Sequence, residues 1–357
     1  MSPQSKSGGL SQADAAHAGL YKVAIVGAAS LKGKELAEVL NDRNFPSAQV
    51  KLLDDDEALG QLEAVGEEVT FIQKLRADQF RNLDFTFFAS DAECTLKSWK
   101  IARDNGSAII DLSYALEDDP DAVVRSPWVE RQLGQNLVPE LQPKAAVTAH
   151  PAAVVLAILL LRVQKAGPIR SVVATVFEPA SEHGQKGMDE LHQQTVSLLS
   201  FQQLPKNIFD TQVAFNLVAR YGEQSAPALS LVEGRIRKHF GQIAAGAPVP
   251  SLLLLQAPIF HGHAFGIHVE LDQVADVEQI AAALSGEHVH VTHGADENPT
   301  NVNAAGQSDI QVSVVPDSGQ TRGFWLWAAS DNLRIAASNA VECAETMAAT
   351  RPRGIIQ

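Results

Sequence analysis

The stretch with the clearest chemical use is Gly27-Ala28-Ala29-Ser30-Leu31-Lys32-Gly33, which follows a β-branched run, Tyr21 to Val26, and opens a helical pattern. A glycine turn between strand and helix lets backbone N–H groups approach a pyrophosphate at the helix N-terminus. Gly27, Ala29, Ser30, Leu31 and Gly33 are therefore the candidate cofactor-binding positions. The middle position of the GxxGxxG form is Ser30, whose Cβ and hydroxyl stand where the closest backbone approach is needed, so a purely structural strand-to-helix turn is the competing reading. A second strand, Val50 to Leu53, ends in Asp54-Asp55-Asp56-Glu57. An acid there accepts from an adenosine ribose diol and repels a 2′-phosphate, so Asp54 favours NAD over NADP if a nicotinamide cofactor binds; the competing reading is a solvated acidic loop.

Other reactive side chains carry less. Cys94 follows a third strand signal, Leu83 to Ala89, with no cation or paired base in its surroundings, and Cys343 sits among alanines of the last helix; both read as packing. His288, His290 and His293 cluster around a strand without a cysteine nearby, and their spacing fits no standard zinc site, so a polar strand face and no metal are expected.

These residues need elements to hold them. Strand signals at residues 21–26, 50–53, 83–89 and 108–112 alternate with helical patterns after Gly33 and from Cys94 to Asp104, the signature of a parallel α/β sheet. After Pro151 the strict alternation stops. A core helix at Ala152 to Leu161 leads to strand Ile169 to Phe177, a turn at Gly184 to Gly187, a polar helix through Leu199 and a helix at Ser230 to His239. Strands at 252–257 and 263–271, helix Val274 to Leu284, and strands at 288–292, 310–315 and 324–329 follow, an α+β arrangement in which Trp325 and Trp327 read as packed. The last segment, Asn332 to Ala348, has helical spacing.

Length and charge narrow the function. At roughly 100 to 200 residues per domain, 357 residues predict about two domains. Lys+Arg 28 against Asp+Glu 42 gives a net charge of -14 spread along the chain, which excludes general attraction to nucleic acid or anionic membrane. The apolar run Ala152 to Leu161 is too short to span a bilayer. Two cysteines suit a reducing compartment, and the polar stretch from Met1 to Leu20 reads as a loose tail on a cytoplasmic protein.

Five segments then occur in a telling order: the Gly27 turn, Ile109-Ile110-Asp111-Leu112-Ser113-Tyr114-Ala115, Ala149-His150-Pro151-Ala152-Ala153, Pro258-Ile259-Phe260-His261-Gly262-His263, and Leu326 through Arg334 ending in Asn339-Ala340-Val341. Together they resemble the aspartate-semialdehyde dehydrogenase family, most closely its Usg-type paralogues, from Tyr21 to Ala348. The resemblance implies a Rossmann-like nucleotide-binding domain, residues 21–150 closed by 332–357, and an α+β dimerisation domain, residues 151–331, after a tail at 1–20. It also implies a homodimer and a nicotinamide cofactor, NAD or NADP.

The family's reaction needs a thiolate at a helix start, ending an Asn-Pro-Asn-Cys motif; the matching position here is Ala153. The family's intermediate-orienting glutamine matches Glu178, and its two anion-clamping arginines match Glu117 and Gln256. An asparagine matches Leu112 and a lysine Leu229, and of the catalytic set only the histidine remains, as His263. Arg, Arg and Lys contribute +3 in the pattern whereas Glu117, Gln256 and Leu229 contribute -1, so the resemblance implies a pocket four charges more negative that repels anionic substrates. The expectation is a catalytically inactive homologue with a binding or scaffolding role towards a protein partner or a nucleotide. The alternative is an NAD(P)-dependent oxidoreductase on a less anionic aldehyde, using His263 or Glu178 without a covalent thioester.

Overall fold

The structure is a computed structural model and describes residues 20–55, 59–65, 68–135, 145–225, 228–292 and 298–349. The expected tail before Leu20, together with Asp56, Glu57 and His293, lies outside the described residues.

The first sheet is parallel throughout, with strand order β5-β2-β1-β6-β7-β9-β8. Its strands are β1 (Tyr21–Val26), β2 (Ser47–Asp54), β5 (Gln73–Lys74), β6 (Phe85–Phe88), β7 (Ala108–Asp111), β8 (Ala122–Arg125) and β9 (Ala145–Thr148). A small hairpin, β3 (Leu62–Val65) and β4 (Glu68–Phe71), stands apart from it. Central strands are buried on both faces, which is why FTFF and AIID are largely apolar; their polar members, Thr86 and Asp111, are fully buried and hydrogen-bonded to Ser107 and Ser113. One face packs α1 (Leu31–Asp42) and the C-terminal helix α9 (Asn332–Ala348), through Leu36, Val39 and Leu40 against Ala340, Val341 and Ala344. Arg334 ties these two helices together, donating to Glu35 at 3.0 Å, to Glu38 at 3.2 Å and to Asp42. The opposite face packs α2 (Ala92–Asp104), with Trp99 and Ala102 against Phe80 and Phe88. Strands β8 and β9 and the helix α3 (Pro127–Gln132) between them are additions to the sequence reading, which has no signal there. Each spans only four to six residues, too few for a periodicity to show.

The second sheet is mixed, ordered β11-β10-β12-β15-β14-β13. It comprises β10 (Ile169–Glu178), β11 (Ser251–Gln256), β12 (His263–Leu271), β13 (Val289–Val291), β14 (Ile310–Pro316) and β15 (Gly323–Ser330). One face is covered by α4 (Pro151–Ala166), α6 (Leu229–Ile243) and α7 (Val277–Leu284); α5 (Gly184–Leu199) and the short α8 (Asn301–Ala304) complete the unit. Helix α4 is the centre of the molecule, buried from Pro151 through Leu160, because it packs against α3, α6, α7 and α9 as well as β10. The expected turn at Gly184 to Gly187 is instead the first turn of α5; the bend comes earlier, in a 3₁₀ turn over Ala180–His183, and Gly184 takes φ +66° at the junction.

The other face of this sheet is open. Trp325 and Trp327 are not packed as expected but alternate outward from Phe324, Leu326 and Ala328, and share the exposed face with Val173, Leu253 and Val315. His288 is also corrected: at φ +63° it precedes β13, and its ring stacks on Trp128 with centroids 3.8 Å apart while Nε2 accepts from Arg131 at 3.0 Å.

Gly27 shows what the glycine turn requires. At φ +82°, an added Cβ would lie 2.4 Å from the Ser90 backbone nitrogen. Gly60 has a similar φ of +79° with nothing within 4 Å. Gly27→Ala is therefore expected to lower unfolding free energy by at least about 2 kcal/mol in urea titrations, and Gly60→Ala by about half as much. Equal losses at both sites would show that the close approach between β1 and β6 is not what demands glycine.

Candidate active site

Parallel strands point their C-terminal ends at a common crevice, deepest where the chain order reverses on either side of β1. The segments leaving β1, β6, β7 and β9 meet there around a cavity of about 460 Å³. Its wall includes Ser30, Leu31 and Lys32 from the glycine turn, Ser90 and Asp91 after β6, Tyr114 after β7, His150 before α4, and Arg235 from α6. Glu178 and Glu182 close it from the second sheet.

Ser30 does not project into open space. Its hydroxyl caps α1 by accepting from Gly33 N–H at 2.9 Å and donates to the Ala89 carbonyl at 2.9 Å. Ala29 N–H is taken by Asp54 Oδ2 at 2.7 Å, and Asp54 Oδ1 accepts from Asp55 N–H, so Asp54 buttresses the turn itself. Leu31 and Lys32 occupy the first turn of α1, where backbone N–H groups have no acceptor within the helix. Lys32 reaches further, donating to the Leu112 carbonyl at 3.3 Å and the Tyr114 hydroxyl at 3.5 Å, with Glu182 Oε2 at 4.0 Å. Tyr114 itself is held at φ +64°, with the Lys32 ammonium 4.5 Å and the Arg235 guanidinium 4.9 Å from its ring centroid.

The residues matched to the family's catalytic set are almost all buried behind this wall. Ala153 is fully buried at the third residue of α4. His150 caps that helix, its Nδ1 accepting from Ala152 N–H at 3.2 Å, which leaves the ring proton on Nε2; burial holds the imidazole well below its ordinary pKa. Gln256 is buried in a relay in which Tyr221 donates to its Oε1 at 2.6 Å and its amide donates to the carbonyls of Glu178 and Ala257. Leu229, fully packed at the start of α6, and Leu112, after β7, contribute apolar surface. His263 Nε2 lies 3.2 Å from Glu178 Oε2 and positions that carboxylate.

Glu117 overturns the electrostatic expectation. Arg235 clamps its carboxylate through Nε and Nη2 at 3.0 to 3.1 Å, Lys238 lies 3.9 Å away, and His239 donates to Oε2 at 2.9 Å. That tautomer is fixed because His239 Nδ1 accepts the backbone N–H of His150 at 3.0 Å. Burial opposes ionisation, yet the bonds from His239 and Arg235 hold the Glu117 carboxyl down at about 2. The negative charge is thus spent on structure, and Lys32, Lys186 and Arg235 bring cations to the cavity wall from other elements. The simple subtraction fails because the matched positions are not where the cavity's charge resides.

Two carboxylates on the wall are driven in opposite directions. Burial raises Glu178. Glu182 is buried too, but Lys32 nearby and a hydrogen bond from Asn332 at 2.8 Å help hold it at about 2. Neither thiol is activated: burial and nearby Asp91 and Asp54 raise Cys94, and burial pushes Cys343 up to about 12. No group of three or more metal-ligating side chains occurs among the described residues. No helix among them is long and apolar enough to cross a membrane. Lys32, Tyr114, His150, Glu182, Arg235 and His239 are site residues that the sequence reading leaves out; the one available signal is His150-Pro151 at a helix start, a cap followed by proline.

Residues 22–136 match the family model described as the NAD binding domain of semialdehyde dehydrogenase, and residues 160–335 the model of its dimerisation domain. The chain is 31% identical over 333 residues to a USG-1 protein homolog of Pseudomonas aeruginosa, covering 91% of this chain and 97% of that one. It is 27% identical over 340 residues to an aspartate-semialdehyde dehydrogenase of Rickettsia bellii, covering 92% and 98%. The solved structure of a probable aspartate-semialdehyde dehydrogenase from Pseudomonas aeruginosa superposes with a TM-score of 0.80 at 28% identity, covering 92% of this chain and 98% of that one.

Removing the Glu117 charge tests the buried network. Glu117→Gln leaves Arg235 and His239 short of an acceptor and is expected to cost about 1–3 kcal/mol near neutral pH. Because the folded-state pKa is depressed, this contribution is present above the ordinary carboxylate value and is lost as pH falls from about 4.5 towards about 2. Urea titrations of both proteins across that range should therefore converge; a gap that stays constant with pH would show that the Glu117 charge contributes nothing.

Proposed function

The chain belongs to the semialdehyde dehydrogenase family, and from that premise we propose that it is a nucleotide-binding, homodimeric member that does not carry out acylating aldehyde oxidation. The observation that carries this is Ala153. It occupies the third residue of α4, where the resemblance calls for a thiolate, and a methyl group cannot form a thioester. The described cysteines do not replace it: Cys94 lies on α2 and Cys343 within α9, both with raised thiol pKa values. Its role on this reading is binding or scaffolding.

The residues present fit a dinucleotide. Leu31 and Lys32 would offer backbone N–H groups to a pyrophosphate, and Asp54, whose carboxylate also buttresses the turn through Ala29 N–H, would take a ribose hydroxyl on a remaining lone pair. With Asp55 beside it, Asp54 disfavours a 2′-phosphate, which makes NAD the better partner. Such a cofactor supplies hydride-accepting chemistry when bound; what this chain supplies is the cradle. We assign residues 21–150 and 332–357 to the nucleotide-binding unit and 151–331 to the other, and place the protein in the cytoplasm, in keeping with two free thiols. The open sheet face carrying Leu253, Trp325 and Trp327 is the surface we assign to the homodimer.

Two measurements test the reading. NAD at about 100 times its Kd is expected to stabilise the protein by about 2.7 kcal/mol in thermal unfolding, with a smaller effect from NADP, and neither cofactor should be reduced in the presence of phosphate and aspartate semialdehyde. Phosphate-dependent turnover would sink the proposal, as would indifference to both nucleotides. Sedimentation should give a dimer that Leu253→Asp together with Trp325→Asp converts to monomer; a wild-type monomer would remove the dimer assignment.

A further inference from the structure

Besides its charged groups, the cavity wall carries one histidine whose hydrogen-bonding state is fixed from a distance. His183 ends the 3₁₀ turn before α5, is partly exposed, and lines the cavity of about 460 Å³. The relay that fixes it starts at Gln256. The Gln256 backbone pairs with Val218 in both directions, at 2.9 and 3.0 Å, and its side-chain amide donates to the carbonyls of Glu178 at 3.0 Å and Ala257 at 2.8 Å. With the amide nitrogen committed, Oε1 faces the Tyr221 hydroxyl at 2.6 Å and can only accept. Tyr221 therefore spends its one proton on Gln256, and burial raises its pKa, so the proton stays in place. The Tyr221 oxygen is left to accept from His183 Nε2 at 2.8 Å. Burial holds the His183 imidazole down at about 4, so near neutral pH the ring is uncharged and Nδ1 bears a lone pair. Phe209 and Tyr221, with ring centroids 5.0 and 5.3 Å away, hold the plane of the ring. Among the described residues Nδ1 takes no hydrogen bond, yet unlike Glu178 Oε1 and His263 Nδ1 it is not shut off from solvent.

A neutral acceptor locked in one tautomer by main-chain carbonyls is equipped to recognise an uncharged N–H group and to reject a group that lacks one. The course of the cavity says which N–H can arrive. It runs from Leu31 and Lys32 at the start of α1, past Ser90 after β6 and Tyr114 after β7, to His183 just beyond β10 of the second sheet. Asp54 ends β2, which lies on the opposite side of β1 from β6. A dinucleotide with its pyrophosphate at α1 and its adenosine beside Asp54 therefore sends its nicotinamide half into this cavity. We propose that His183 Nδ1 accepts the carboxamide N–H of a nicotinamide. His183 is then the residue that reads this ring substituent, and Tyr221 is the positioning residue that sets its tautomer. The inference rests on the nucleotide-binding reading and deepens it. Gln256, which offers no charge to an anion, here anchors the relay.

Calorimetric titration of the full chain with NAD and with acetylpyridine adenine dinucleotide, which has a methyl group in place of the amide nitrogen, tests this. NAD is expected to bind at least about tenfold more tightly, because the analogue leaves Nδ1 desolvated and without a donor. His183→Phe keeps a flat ring against Phe209 and is expected to bind the two dinucleotides within about twofold of each other. Nitrogen NMR of the histidine rings should show the His183 proton on Nε2, an Nδ1 resonance that moves with NAD and not with the analogue, and mixed tautomers in Tyr221→Phe. Binding of neither dinucleotide removes the nucleotide reading and this inference with it. NAD binding without preference over the analogue overturns the inference alone, and that result needs no variant to fold. A folded His183→Phe protein that keeps the wild-type preference, or a wild-type His183 protonated on Nδ1, also overturns it.

Discussion

The backbone N–H of His150 donates to His239, and much of the molecule's arrangement follows from that bond. His150 stands where the first sheet ends at β9 and the central helix α4 begins, so holding its backbone fixes the junction between the two layers. The bond also fixes the His239 tautomer, which gives Glu117 a donor; Arg235 supplies the balancing charge and lies over Tyr114. A buried network of this kind is stable only when every member is satisfied. Pulling out any one partner exposes the others to the full desolvation penalty.

The same network accounts for the charge around the cavity. Positions that the family resemblance assigns to anion clamps are here filled by a carboxylate turned inward to a structural partner, by an amide in a backbone relay and by a packed leucine. Positive charge comes instead from Lys32 within the glycine turn and from Arg235 on α6. The result is a cavity whose charged groups largely neutralise each other in pairs. Glu178 stands apart with one oxygen unclaimed.

The parallel sheet was legible in the chain because strands buried on both faces are largely apolar, and β12 and α9 could be bounded to the residue because their periodicities run unbroken between polar stops. Strands β8 and β9 were not: at four residues each they are too short for a period to show, although Pro120 and Pro127 bracket the first. The outward tryptophans were misread for a different reason, since alternation says that two faces differ but not which one faces solvent. Within the site, residue types at matched positions set an expectation for the pocket's charge. They could not show where Glu117 points, because that depends on His239 and Arg235, more than a hundred residues away. The partners that matter are supplied by topology rather than by neighbours in sequence.

The polypeptide passes from the first sheet to the second at His150 and comes back at Asn332, and both crossing points touch Glu182: His150 Nε2 at 4.0 Å and the Asn332 amide at 2.8 Å. Glu182 is thereby the knot that both passages of the chain between the sheets share, and its loss would loosen the two junctions in a single step.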